Sequence, residues 1–129
     1  MNSNDIIFEL AEDVEMRYLV QFFYPATGAD KCVIPKGTTF TPHCKMRDDA
    51  LYINMVNEND ELIEKMRKQV KEGKYGRIFD RLAGFSFFIT REQIKTLPLL
   101  FHNGSTQDLI DLIEKPTANI EDQWFATKE

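Results

Sequence analysis

Between Met16 and Val56 apolar residues recur at every second position in short runs separated by turn formers, whereas from Asn57 onward the recurrence lengthens to three and four. A period of two belongs to a strand with one buried face, and a period of 3.6 to a helix. Met16, Tyr18, Val20, Phe22 and Tyr24 therefore share one face of a first strand, with Arg17, Leu19, Gln21 and Phe23 on the other. Pro25 to Asp30 reads as a turn and Lys31 to Ile34 as an antiparallel return. Pro35 suits the second position of a type I turn and Gly37 the fourth, which sends Thr38 to Thr41 out as a third strand. The polar segment His43 to Asp49 links it to a fourth, Leu51 to Val56. Upstream, Ile6, Ile7, Leu10, Ala11 and Val14 have helical spacing behind Asn4 and Asp5, a stripe that Phe8 interrupts, so a short helix is expected within residues 1–15.

Past Asn57, which with Asp60 resembles a capping box, Leu62, Ile63, Met66 and Val70 line one helix face until Gly73 offers a left-handed stop. Glu61 precedes Lys65, and Glu64 precedes Lys68, by the favourable four residues. Gly84 to Thr90 reads as a strand with Phe85, Phe87 and Ile89 on one face. Thr90 to Gln93 is a capping box for a short helix that Pro98 closes, and Ser105 with Asp108 opens another over Thr106 to Glu114. The expected fold is α+β: a strongly bent antiparallel sheet, or a small partly open barrel, of about five strands packed with two to four helices. One domain is expected over residues 1–129, with a β meander at 16–56, helices plus one strand at 57–115 and a tail at 116–129.

At 129 residues and 43% hydrophobic, the chain can bury roughly two-thirds of its unfolded surface in one core. Its longest apolar runs, such as Phe85 to Ile89, fall far short of the roughly 20 residues that a spanning helix needs. No basic residue precedes Arg17, so a secretory signal is not expected, and Cys32 and Cys44 read as reduced thiols of a cytoplasmic protein. The net charge of -5 is uneven. Asp5, Glu9, Glu12, Asp13 and Glu15 stand without a cation in the first fifteen residues, whereas seven Lys and Arg lie between Lys65 and Arg81. An acidic balance argues against a dedicated nucleic-acid binder.

Candidate chemistry is sparse. Cys32, His43, Cys44 and His102 are the only thiol or imidazole ligands, and their spacing lacks the close pairs of a zinc site, so neither a metal nor a cofactor is expected. A cysteine-dependent enzyme would have to join Cys44 to His43 or His102, without any recognisable elbow around either cysteine. Gly73-Lys74-Tyr75-Gly76-Arg77 is a sharper candidate: exposed amides with Lys71, Lys74 and Arg77 could hold a phosphate or nucleic acid while Tyr75 stacks. Of the aromatic residues, Phe22, Phe40, Phe79, Phe85 and Phe87 are expected in the core. Phe23, Trp124 and Phe125 are left as anchors for a protein or peptide partner. The preferred expectation is a non-enzymatic interaction module binding a protein or peptide partner, with an acidic inhibitor or immunity-type protein as one variant, anion binding the alternative and cysteine chemistry third.

Overall fold

The computed structural model describes residues 5–23 and 27–115. Seven strands, β1 (Ile7–Leu10), β2 (Val14–Phe22), β3 (Thr27–Ile34), β4 (Thr39–Arg47), β5 (Ala50–Met55), β6 (Leu82–Thr90) and β7 (Leu99–Asn103), form one sheet. Three α-helices, α1 (Asp60–Glu72), α2 (Arg91–Thr96) and α3 (Thr106–Glu114), and a 3-10 segment at Gly76–Arg81 complete the described chain. The strand order is β3-β2-β6-β5-β4-β1-β7, every neighbouring pair is antiparallel, and the sheet does not close. The α+β expectation holds, with seven strands instead of about five and an open sheet instead of a barrel.

One face of the sheet carries the core. Met16, Tyr18 and Val20 of β2, Cys32 and Ile34 of β3, Phe87 and Ile89 of β6, Leu51 and Ile53 of β5, Phe40 of β4, and Phe8 and Leu10 of β1 are all buried on it. Leu62, Met66 and Val70 of α1, Ile94 of α2, and Leu109, Ile110 and Ile113 of α3 join the same cluster. Tyr18 meets Phe85 edge-on at 5.5 Å and Phe40 meets Phe87 at 5.7 Å, geometries that favour paired rings beyond the area they bury. Phe22 is buried as expected, whereas Phe79 and Phe85 are only partly covered.

The expected N-terminal helix is instead β1 and the start of β2. Ile6, Phe8 and Leu10 are each fully buried at period two, so the Phe8 that broke the helical stripe marks the true periodicity. Residues 57–115 hold two strands, not one, since Leu99–Asn103 pairs with β1. Strand β3 begins at Thr27, inside the segment read as a turn, and β4 runs through the polar stretch to Arg47 with register shifts beyond Pro42. The Thr38 amide donates to the Pro35 carbonyl at 3.2 Å, and Gly37 has φ +88°. Gly37 thus takes the third position of a type II turn, which requires positive φ, and not the fourth of a type I.

Helix signals fared better. Asn59, not Asn57, caps α1 by accepting from the Leu62 amide at 3.1 Å. Gly73 ends that helix in an extended and not a left-handed conformation. Thr90 and Gln93 form the expected reciprocal box at α2, and Ser105 accepts from the Asp108 amide at α3. No described helix is long and apolar enough to cross a membrane.

Candidate functional site: the two edges of the sheet

An open sheet has two edge strands, each with a row of main-chain donors and acceptors that its neighbour does not use. Here they are β3 and β7. At the middle of β3 these groups are occupied. The Tyr75 hydroxyl receives the Ala29 amide at 3.1 Å and reaches the Ala29 carbonyl at 3.4 Å. Two residues on, the Lys31 carbonyl accepts from Gln69 Nε2 of α1 at 2.7 Å, and the Lys31 amide donates to Asp30 Oδ1 at 2.8 Å. Ala29 and Lys31 alternate with residues whose side chains enter the core, so both outward-looking positions at the middle of the strand are filled from within the molecule. Gly28 makes room for this, because a Cβ there would lie 2.3 Å from the Tyr75 ring. Asp30 stands opposite Tyr18 on the inner face, and an inward charge on an edge strand disfavours further pairing.

Strand β7 is different. The Ala11 amide donates to the Pro98 carbonyl at 2.7 Å, and register pairs Leu10 with Leu99 and Glu9 with Leu100. Antiparallel alternation then turns the main-chain groups of Leu99 and Phe101 away from β1. Among the described residues no strand pairs with that side. Leu99 and Phe101 pack their side chains against the core, with Phe101 5.8 Å from Phe8, while Leu100 stands out on the other face at 54% exposure. Beside it His102 Nε2 and Glu9 Oε1 are 2.5 Å apart, and Asn103 Nδ2 donates to the Asp5 carbonyl. Of the acidic residues in the first fifteen, Asp5, Glu9 and Glu12 lie on or beside β1, next to the open edge, whereas Asp13 accepts from the Lys36 amide and Glu15, on β2, faces Lys31 of β3 at 3.6 Å.

The residues singled out for anion binding are brought together, but their roles are mixed. Tyr75 is the clamp on β3, its ring 5.8 Å from Phe22. Lys74 Nζ lies 5.1 Å over that ring, and Lys71 Nζ and the Arg67 guanidinium lie 5.8 and 5.5 Å over Phe79, while Arg77 is exposed. The amides of Gly73 and Gly76 donate to the Val70 and Gly73 carbonyls. A Cβ on Gly76 would approach the Lys71 carbonyl oxygen to 2.4 Å, so that glycine serves close packing against the C-terminal end of α1, where the helix dipole is negative.

Phe23, at the exit of β2, is 79% exposed and its amide donates to the Arg81 carbonyl. Trp124 and Phe125 lie outside the described residues. His43 and Cys44 are both exposed on β4. Among the described residues neither thiol hydrogen-bonds to an imidazole, and no group of three His, Cys, Asp or Glu is placed to hold a metal ion. Burial pushes the Cys32 thiol up to about 11, the Lys65 ammonium offsetting part of the rise and Asp30 and Glu15 adding to it. Burial likewise raises Tyr18, whose hydroxyl has no hydrogen-bond partner among the described residues. Both groups are held neutral, the opposite of an activated nucleophile. Compared with known proteins, the chain matches no family model, no curated protein and no solved structure.

Proposed function

We propose that this chain is a non-enzymatic interaction module that captures an extended, basic segment of a protein partner as an eighth strand against β7. The reading rests on one observation: the middle of the β3 edge is filled by Tyr75, Gln69 and Asp30, whereas the main-chain groups of Leu99 and Phe101 on β7 find no partner among the described residues. Strand addition draws its affinity from such main-chain groups and its selectivity from the side chains beside them. Leu100 offers the apolar contact, and the acidic β1 flank supplies charge complementarity to a basic partner, as an acidic inhibitor or immunity-type protein would. Cys32 and Cys44, both free, suit a reducing compartment such as the cytoplasm.

The test is a library of extended decapeptides of graded charge, read by amide hydrogen exchange. Bound basic peptides should protect the Leu99 and Phe101 amides, and Leu100→Lys should weaken capture at least about tenfold while leaving stability within about 0.5 kcal/mol. Protection confined to β3, or capture indifferent to Leu100→Lys, refutes the reading. Changing Lys74 and Arg77 together to glutamate leaves capture intact if β7 is the site and abolishes it if the Gly73 to Arg77 segment is.

A further inference from the structure

β5 and β6 pair only from Ala50 opposite Thr90 to Ile53 opposite Phe87. Beyond that point they diverge: Asn54 stays with β4, as does Met55, while β6 continues to Leu82 against β2 alone. The seam is a cleft of about 480 Å³ within the sheet, a volume in the range of small-molecule sites. Ile53 and Phe87 are its buried floor, and Met55, Phe85 and Ile63 are its half-buried apolar walls. Gly84 stands on one lip, and a Cβ there would meet nothing within 4 Å. The cleft is open because the two strands part; Gly84 pairs with Gln21, so the side chain it lacks would stand on the other face of the sheet from Phe85 and Phe87.

One cation reaches this cleft. Arg67 follows Ile63 by one helical turn, and its guanidinium is held 5.5 Å over the Phe79 ring. Its contact with Glu64, 3.8 Å between exposed groups, is of the weak kind that a ligand can replace. A guanidinium fixed by stacking presents a planar fork suited to a carboxylate. Glu58 lines the cleft from the other side of Ile63 along the chain and opposes a second negative charge.

We propose that the β5/β6 seam binds a monocarboxylate with an aromatic or branched apolar body, its carboxylate on Arg67 and its body between Met55, Ile63 and Phe85. The probe is 4-phenylbutyrate, titrated into the full chain while backbone amide shifts are followed, with 4-phenylbutanamide as its uncharged counterpart. The carboxylate should move the amides of Asn54, Met55, Gly84 and Phe85 and bind at least about tenfold more tightly than the amide, the margin of one charge-assisted pair. Arg67→Gln should erase that margin, and Ile63→Trp, which fills the cleft from α1, should remove binding of both compounds. Equal affinity for the two compounds, shifts that map elsewhere, or no saturation by about 10 mM, beyond the weak end of useful affinity, would overturn the proposal. Neither variant touches β7, so these outcomes are independent of peptide capture.

Discussion

The two edges of this sheet solve the same physical problem in opposite ways. At β3, a tyrosine from 46 residues away and a glutamine from α1 occupy main-chain groups, and an inward aspartate sits between them. At β7, the strand pairs on one side only, with Leu100 exposed and two residues' worth of main-chain donors and acceptors pointing outward. A free edge is a template for another chain, so a molecule that blunts one edge side chain by side chain and leaves the other bare differs in adhesiveness from end to end. What the contrast teaches is that edge protection here is local, and each edge should respond separately to substitution.

The largest effect should come from Phe8, which joins β1 to both neighbours through rings 5.9 Å away on Phe40 and 5.8 Å away on Phe101. Phe8→Ala should cost about 3–5 kcal/mol, as for other buried phenylalanines, in chemical denaturation. Because the Phe8 ring links β1 to both β4 and β7, hydrogen exchange in this variant should show β1 and β7 opening before β2 and β3. If both ends open together, the edges are not independent.

Alkali should strike the opposite end. Cys32 ionises near 9 ordinarily and near 11 in the fold, and Tyr18 on the adjoining strand is raised as well. A raised acidic group means that the unfolded chain loses its proton first. The associated stability is complete below pH 9 and drains away as pH climbs towards 11. From Cys32 alone the loss is on the order of 2 kcal/mol. Denaturation midpoints measured between pH 8 and pH 11 should fall, the fall should be shallower in Cys32→Ala, and β3 amides should exchange earlier than those of β7. A flat profile would show that the thiol is not held neutral.

Gly28→Val tests the space that the β3 clamp occupies. The new Cβ would press on the far end of the Tyr75 ring, which can swing out, so the cost is the lost hydroxyl bonds and the contact with Phe22, about 2 kcal/mol in thermal melting. With the clamp displaced, sedimentation should report association through β3 that the parent chain lacks.

Much of the fold was legible where signals are local. The alternation of β2 and β6, the apolar stripe of α1 and the Thr90/Gln93 box each declare an element within a few residues. Where two periods fit the same letters, the reading failed: Ile6, Ile7 and Leu10 suit a helix until Phe8 is given weight, and the polar run from His43 to Arg47 hides an extended strand with register shifts. The candidate site was legible only in part. Tyr75 and the basic residues around it stood out in the sequence, but the ring's role depends on Ala29, and no local pattern announces that contact. Likewise Leu99–Asn103 becomes an edge only through strand order, which is set by long-range pairing.

The smallest change is the most discriminating. Tyr75→Phe keeps the ring against Phe22 and Gly28 and deletes only the oxygen that receives the Ala29 amide at 3.1 Å. Loss of one such bond costs about 1 kcal/mol, and because the amide lies at a half-buried edge, water can take up part of what is lost. Stability should therefore fall slightly, while the exposed donor and acceptor at Ala29 make the middle of β3 resemble β7. If guarding is what separates the edges, this variant should bind extended peptides at both ends, with new amide protection at Ala29 and unchanged protection at Leu99 and Phe101. If β3 still refuses peptide, the selectivity lies in Asp30 and Lys31 and not in the hydroxyl, and Asp30→Asn in the Tyr75→Phe background should then release it.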